Sequence, residues 1–565
     1  MSAKDYILDN GYLLIYIQIN QINHNGITIM NQDNVVTANI TNKKSRLNLN
    51  FNSGSKVLLI YPTLYRITGL PIGIASLSAS LKDKGFDVKI FDTAFYKEKG
   101  RYSNQEKSRV TSQMTKPIDK QEDYWKDKSN DLLFDLDDLL NKFNPDIAGI
   151  SILENTKEQS FKMTRFIKSK YPNLPVVAGG IFPTLTPKIF VDEPSIDYIC
   201  IGEGEVSFPD LCERIIRGKD CSNTRGFWIK KNGTVHKNPS AMLPDVNNIP
   251  YPDFGAFDNG LLHKPMQGRM YKMLSIEASR GCVHKCTYCE NSVLGDFYNE
   301  SGAGRYYRKM DMPRIIDQIK YQVKKYACDY IYLSSEYFLA LSKADFDYFI
   351  KEYSKIKLPF YFQTRFETIR GDRLKALKEV GMNWLSVALE HGNENFRRKH
   401  LKRRYRNDMV VKSIEILKEH NIGASIQNMM GFPFENRDLI FETINFCKKL
   451  YRIHSQLQFN IYMFTPYRSC SMYKTCKEEG LLPENDEDYI NGYAFDGNTA
   501  LRFSPEYKKE LSGLYRTFNL YVKLPDKYLP QIKIAEKDDD EGKQMLKELS
   551  KKITWHTSFE TGAEC

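Results

Sequence analysis

Cysteine is scarce in this chain, eleven residues in 565, and no apolar secretion signal opens it, so a disulfide framework is a poor reading. No apolar run approaches the roughly 20 residues that cross a bilayer, and the stretch from Tyr12 to Ile17 is too short. Base-stacking and groove-reading motifs are missing around the densest basic run, Arg397 to Arg406, so the net charge of +11 does not point to nucleic acid. That run is expected to be a solvated helix face or loop, with an anionic substrate or reductant left open. What remains is the composition of an ordinary globular protein, 41% hydrophobic and 27% charged, long enough for at least two domains.

Three of the few cysteines stand together. Cys282, Cys286 and Cys289 lie between Glu277 and Glu290 with C-x3-C-x2-C spacing. A [4Fe–4S] cube takes soft thiolate ligands on four irons, so three cysteines leave one iron open for chemistry. With His284 the same residues could make a zinc knuckle, although structural zinc usually takes two ligand pairs and no second pair lies nearby. Spacing alone leaves both open. With Tyr288 just before the last cysteine, the motif resembles the signature of the radical S-adenosylmethionine (SAM) enzymes. The resemblance implies that the open iron chelates the methionine moiety of SAM and that Tyr288 adjoins the cofactors.

Upstream, residues 1–54 show no sustained helical period and read as an extension. From Lys56 onward buried-strand runs alternate with helical patterns: Val57–Tyr61, Val88–Asp92, Ile147–Ile152, Pro175–Gly180 and Tyr198–Gly202, interrupted by a charged, irregular insertion near 97–128. Such alternation predicts a doubly wound parallel sheet over 55–245, closed by a hairpin at Asn232-Gly233, with a ligand crevice at the strand carboxyl ends. Pro71 to Gly73, Gly179-Gly180 and the Gly202–Glu205 run resemble the cobalamin-binding domain that precedes many radical SAM domains. The resemblance implies cobalamin held by Ser151, Ile152, Gly179, Gly180, Gly202, Glu203, Gly204 and Glu205. Many such domains ligate cobalt by a loop histidine. The loop Tyr61–Gly69 contains none, leaving Leu64, Tyr65 or Arg66 beneath the metal.

After a proline-punctuated linker at 246–268, a second α/β series over 269–490 fits a partial (β/α)6 radical SAM barrel, with the cysteine loop after its first strand. Strand ends in such barrels form the functional face. Glu336 is expected there as acceptor for the SAM ammonium, and Arg365 as partner of its carboxylate. Glu390, Gln427 and Gly431 match further SAM-facing positions of the family. His391 replaces a small residue, and Arg468-Ser469 replaces the usual Pro-Gly. Residues 491–565 read as a mainly helical tail of the kind that often caps the barrel mouth. Cys470, Cys476 and Cys565 are too widely spaced for a second cluster and read as structural thiols.

The resemblance implies an enzyme that uses a [4Fe–4S] cluster, SAM and cobalamin to methylate an unactivated carbon. A cyclase or ring-rearranging enzyme with the same cofactors, or a non-catalytic cobalamin module, are the alternatives. It also implies a small-molecule or peptide substrate and an electron donor such as a flavodoxin or ferredoxin. Sparse cysteine, an iron–sulfur motif and no membrane span place the expectation in a reducing cytoplasm.

Overall fold

The structure, a computed structural model, describes residues 19–23, 26–31, 34–38, 54–63, 70–96, 109–116, 123–484 and 497–555, the first three stretches as backbone course only. In those three, Ile19–Asn23 (β1), Gly26–Asn31 (β2) and Asn34–Ala38 (β3) pair antiparallel into a sheet of their own.

The first large sheet begins with Lys56–Tyr61 (β4), an apolar run buried on both faces. Asp87–Asp92 (β5), Ile147–Ser151 (β6), Val176–Gly179 (β7) and Tyr198–Cys200 (β8) run parallel to it, and the hairpin of Phe227–Lys231 (β9) and Thr234–Lys237 (β10) adds an antiparallel edge. The strand order β10-β9-β8-β7-β6-β4-β5 places a topological switch between β4 and β6. Alternate side chains serve opposite faces. Val57 and Leu59 join the core beneath helices Ile72–Asp83 and Ser207–Ile216, while Leu58 and Ile60 join the core beneath Leu132–Phe143 and Lys157–Lys170. Helices therefore cover both faces, as the alternation predicts.

The second sheet starts inside the segment expected to be linker. His263–Met266 (β11) pairs antiparallel with Arg269–Glu277 (β12) through Gln267 and Gly268, whose φ values of +53° and +83° are those of a tight hairpin turn. Pro265 is tolerated there because β11 is an edge strand. Ser279–Arg280 (β13) and Arg308–Lys309 (β14) form a short ribbon beside it. Tyr330–Ser334 (β15), Phe360–Thr364 (β16), Met382–Glu390 (β17), Gly423–Met430 (β18) and Leu457–Met463 (β19) then run parallel to β12 in chain order, a curled half-barrel with helices outside. One core runs from Val57 through Leu274, Ile331 and Ile426 to Phe518, binding sheet, barrel and tail together.

The tail is helical as expected, at Pro505–Lys523, Leu529–Ala535 and Asp540–Ser550. It packs on helix Arg437–Ile453, where Arg437 pairs with Glu510 at 3.0 Å and Glu536 at 2.9 Å. Its last described residue, Trp555, lies beside Trp384 and Gln458 at the amino-terminal end of the barrel strands.

Candidate functional site

Two recesses lie side by side at the strand ends of the two sheets. The first lies at the β4/β6 switch. Gly149 and Ser151 of β6, Val177 and Gly179 of β7, and Gly73 and Leu77 of the first helix line it, and the loop after β8 contributes Gly202, Glu203, Gly204 and Glu205. Two glycines here are required by geometry. Gly180 has φ +106° and a Cβ on it would stand 2.9 Å from the Ile152 carbonyl oxygen; Gly202 has φ +104° and its Cβ would approach Ser240 Oγ to 3.0 Å and Tyr298 Oη to 3.3 Å. These turns, which only glycine allows, and Gly73, beyond which lies open space, shape a cradle that fits a bulky cofactor such as cobalamin. Ser151 faces the cradle, whereas Ile152 is fully buried in the core on the opposite face with Leu58 and Ile60. Neighbouring strand residues point to opposite faces. Leu64, Tyr65 and Arg66 lie outside the described residues.

The far wall of the cradle belongs to the barrel: Glu277, Arg280, Leu294, Tyr298 and Tyr306. Arg280 Nη1 donates to Glu203 Oε2 at 2.6 Å and Glu205 Oε1 at 2.7 Å, while its Nε and Nη2 donate to Glu277 at 3.1 and 2.9 Å. Arg308 also pairs with Glu203. Burial opposes the charge on Arg280, yet the surrounding carboxylates outweigh it and hold the guanidinium well above its ordinary pKa. Local sequence gives no sign of this residue's role. Two of its carboxylate partners are 75 and 77 positions upstream.

Two residues past Arg280 the second recess begins. Cys282, Cys286 and Cys289 line it together with Tyr288, Glu336, Arg365, Glu390 and Gln427. Burial pushes the Cys289 thiol up to about 12 and raises Cys282, so binding iron here would require these groups to shed protons. Among the described residues no three His, Cys, Asp or Glu side chains converge on one metal ion. His284 packs edge-on to Tyr337, its ring centroid 5.7 Å away. Three thiols around one cavity suit a cube, which takes each on a different iron.

The surrounding groups suit SAM. Arg365 donates to Glu367 Oε1 at 2.8 Å, and its Nε is buried with no acceptor among the described residues. Such an orphaned donor is costly unless a ligand satisfies it. Glu336 accepts from Asn291 Nδ2 at 2.9 Å. Glu390 ends β17 at φ +64°, a left-handed conformation rare for this residue type, and its Oε1 accepts from Tyr288 Oη at 2.8 Å and lies 2.9 Å from Arg403 Nη2. Arg403 Nε also donates to Tyr288 Oη at 2.8 Å. Tyr288, Glu390 and Arg403 thus form a closed triangle that ties the cysteine loop to the fourth parallel strand. Gln427 sits deeper, bonded to Ser386, Asn460 and Tyr462. Gly431, at φ +82°, lies past the strand end and donates its N–H to Glu435 Oε2.

One expectation changes. The basic run 397–406 is not simply a solvated face: Arg397 is fully buried, donating to the His391 and Tyr405 carbonyls, and Arg403 lines the cysteine recess. Charge density alone cannot show which cations find buried acceptors. His391 is also fully buried, its Nε2 3.1 Å from Glu435 and its ring stacked on Phe396, so it holds the loop rather than facing a substrate. Arg468 reaches across to Glu154, in the loop after β6, at 2.8 Å. Cys470 and Cys476 are packed in the interior, and Cys565 lies outside the described residues.

A model of the radical SAM superfamily matches residues 276–447 and one of the B12 binding domain matches 124–212. An uncharacterised methyltransferase of Pyrococcus horikoshii is 24% identical over 76% of this chain and 84% of its own length. The anaerobic magnesium-protoporphyrin IX monomethyl ester cyclase of Synechocystis is 24% identical over 57% of this chain and 62% of its own. Among solved structures, the cobalamin-dependent radical SAM enzyme OxsB, with aqua-cobalamin and SAM bound, superposes with TM-score 0.61 at 14% identity, over 95% of this chain and 80% of its own. The methyltransferase TsrM of Kitasatospora setae, with cobalamin and a [4Fe–4S] cluster, gives 0.57 at 13% identity, over 90% and 100%. No helix among the described residues is long and apolar enough to cross a membrane. With both domains matched in this order, the chain carries a B12 binding domain followed by a radical SAM domain, and the cofactors of these domains are cobalamin, a [4Fe–4S] cluster and SAM.

Proposed function

We propose that this enzyme is a methyltransferase that places a methyl group on an unactivated carbon. The observation that carries the reading is adjacency: Arg280 and Tyr306 line the first cradle, Cys282, Cys286 and Cys289 line the neighbouring recess, and Tyr306 Oη donates to Asn291 of that recess at 2.5 Å. Both cofactors then open onto one reaction space. Names among the relatives agree, since the Pyrococcus protein and TsrM are both called methyltransferases.

When bound, SAM on the reduced cluster supplies a 5′-deoxyadenosyl radical for hydrogen abstraction, and cobalamin supplies the methyl group. The chain's residues position these groups. The three thiolates hold three irons. Arg365 offers its buried Nε to the SAM carboxylate, and Glu336 accepts from the ammonium. Glu390, fixed by Tyr288 and Arg403, keeps the strand end and cysteine loop in register. The backbone beside Gly431 borders the adenine side. The Arg280 and Arg468 bridges hold the cradle against the barrel and keep water from the space between. A flavodoxin or ferredoxin serves as reductant.

The Synechocystis relative, named a cyclase, favours an oxidative cyclisation as the second reading. Anaerobic incubation with methyl-deuterated SAM and a reductant separates them. The methyltransferase passes the label to the bound cobalamin and on to product carbon; label that never leaves SAM contradicts it.

A further inference from the structure

One hydrogen-bonded chain connects the two recesses. Tyr306 lines the cradle, Asn291 and Glu336 line the cysteine recess, and the three are joined in series: Tyr306 Oη to Asn291 Oδ1 at 2.5 Å, then Asn291 Nδ2 to Glu336 Oε1 at 2.9 Å. The amide has one way to serve both neighbours. An ionised carboxylate only accepts, so the amide NH2 faces Glu336, its carbonyl faces Tyr306, and the phenol donates. Burial raises the Tyr306 phenol above its ordinary pKa, which keeps that proton in place. Glu336 Oε2 makes no hydrogen bond among the described residues, which leaves that oxygen for a ligand.

Tyr306 is held from several sides, each belonging to a different part of the site. Its ring stacks on Tyr298, with centroids 5.4 Å apart and 20° between planes. The pair packs with Leu294 and Ala303 of the barrel against Ile181 and Leu185, which follow β7 of the first sheet. Gly281, at φ +87°, seats the cysteine loop on the same residue: a Cβ there would stand 2.7 Å from the Tyr306 carbonyl oxygen and 3.1 Å from its ring. Ring, backbone and hydroxyl therefore meet the cradle wall, the residue before Cys282 and the residue two past Cys289.

We propose that Tyr306 is a positioning residue shared by both cofactors: cobalamin in the cradle fixes the Tyr298–Tyr306 ring pair, the Tyr306 hydroxyl fixes Asn291, and Asn291 holds Glu336 in the orientation that accepts from the SAM ammonium. Cobalamin binding thereby tightens SAM binding, and by linkage SAM tightens cobalamin by the same factor. The physical source is ordering. A macrocycle packed on the two rings adds van der Waals contact and narrows their motion, so the second ligand meets a carboxylate already oriented. The inference rests on the reading above for the place of the SAM ammonium, and on nothing about methyl transfer.

Equilibrium binding of SAM to the anaerobically reconstituted full-length protein, its cluster loaded, tests this with hydroxocobalamin bound and with it withheld. Cobalamin should tighten SAM by at least about fivefold, and titration of hydroxocobalamin with and without SAM should return the same factor. Tyr306→Phe keeps the ring and removes the donor, so iron and cobalamin content should stay at the wild-type level while the factor falls to about one. Equal SAM affinity with and without cobalamin in the wild type overturns the proposal, as does a factor that survives in Tyr306→Phe. Should that variant lose iron or cobalamin, Asn291→Leu, which breaks the same chain outside the cradle, is read in its place against the same two results, and the wild-type comparison stands whichever variant folds. Glu336→Gln separates the levels of failure. SAM affinity unchanged by that substitution would place the ammonium elsewhere and overturn both the coupling route and that part of the reading above; weakened SAM binding together with full coupling in Tyr306→Phe overturns the role of Tyr306 alone. None of these readouts requires methyl transfer, so the methyltransferase reading is decided separately by the fate of its label.

Discussion

Arg280 Nη1 lies 2.7 Å from Glu205 Oε1, joining the residue that introduces the cluster cysteines to the loop that rims the cobalamin cradle. Three carboxylates surround that guanidinium, so removing it strands buried negative charge. Arg280→Ala is expected to cost about 3–5 kcal/mol of stability, read as a lowered denaturation midpoint at unchanged slope. Adding Glu205→Gln should recover part of the loss, because one stranded charge is then neutral. A single variant with an unaltered midpoint contradicts the bridge.

Replacing Cys282, Cys286 and Cys289 together by alanine should abolish the iron–sulfur absorbance while cobalamin loading persists, since the cradle is built from other residues. Iron retained at about four per chain would overturn the ligand assignment.

Gly202→Val places a branched side chain at φ +104°, against Ser240 and Tyr298. Cobalamin per chain should fall at least tenfold with cluster iron kept. Loss of iron in equal measure would show a general folding defect instead.

Arg403→Ala removes one corner of the Tyr288–Glu390 triangle. Deoxyadenosine formation should drop at least tenfold with the cluster intact, and Arg365→Ala should weaken SAM binding by a similar factor, about 1.4 kcal/mol. Equilibrium binding of SAM separates the two: the first variant chiefly lowers the rate, the second chiefly the affinity.

Much of this was legible in the chain. The parallel strands announce themselves because each is an apolar run cut off by Gly, Pro or charge, as in Val57 to Tyr61 before Pro62. The edge strand β11 does not, since Pro265 reads as a breaker and Gln267-Gly268 is an uncommon turn pair. The cysteines and the strand-end residues Glu336, Arg365 and Glu390 were legible from motif order, and they line one recess. Arg280 and Arg403 were not, because each ties its local carboxylate to a distant partner, Glu205 at 75 positions and Tyr288 at 115. Ile152 and Ser151 are neighbours in sequence but on opposite faces, a distinction that depends on strand phase.

Lys523 offers a pH signature. Its folded pKa is depressed to about 7 by burial, whereas the unfolded side chain titrates near 10.4. Between these values the unfolded state binds more protons, so stability rises with pH, by at most about 1.4 kcal/mol per unit. Lys523→Met should abolish this rise. The variant is then more stable than wild type at pH 7 relative to pH 10, measured as the difference in denaturation midpoints.

The most direct measurement is anaerobic reconstitution followed by cofactor extraction and a single incubation with SAM and a strong reductant. About four irons and one cobalamin per chain are expected, with 5′-deoxyadenosine that disappears when the three cysteines are replaced. A protein that carries no cobalamin, or that leaves SAM uncleaved with its cluster intact, would contradict it.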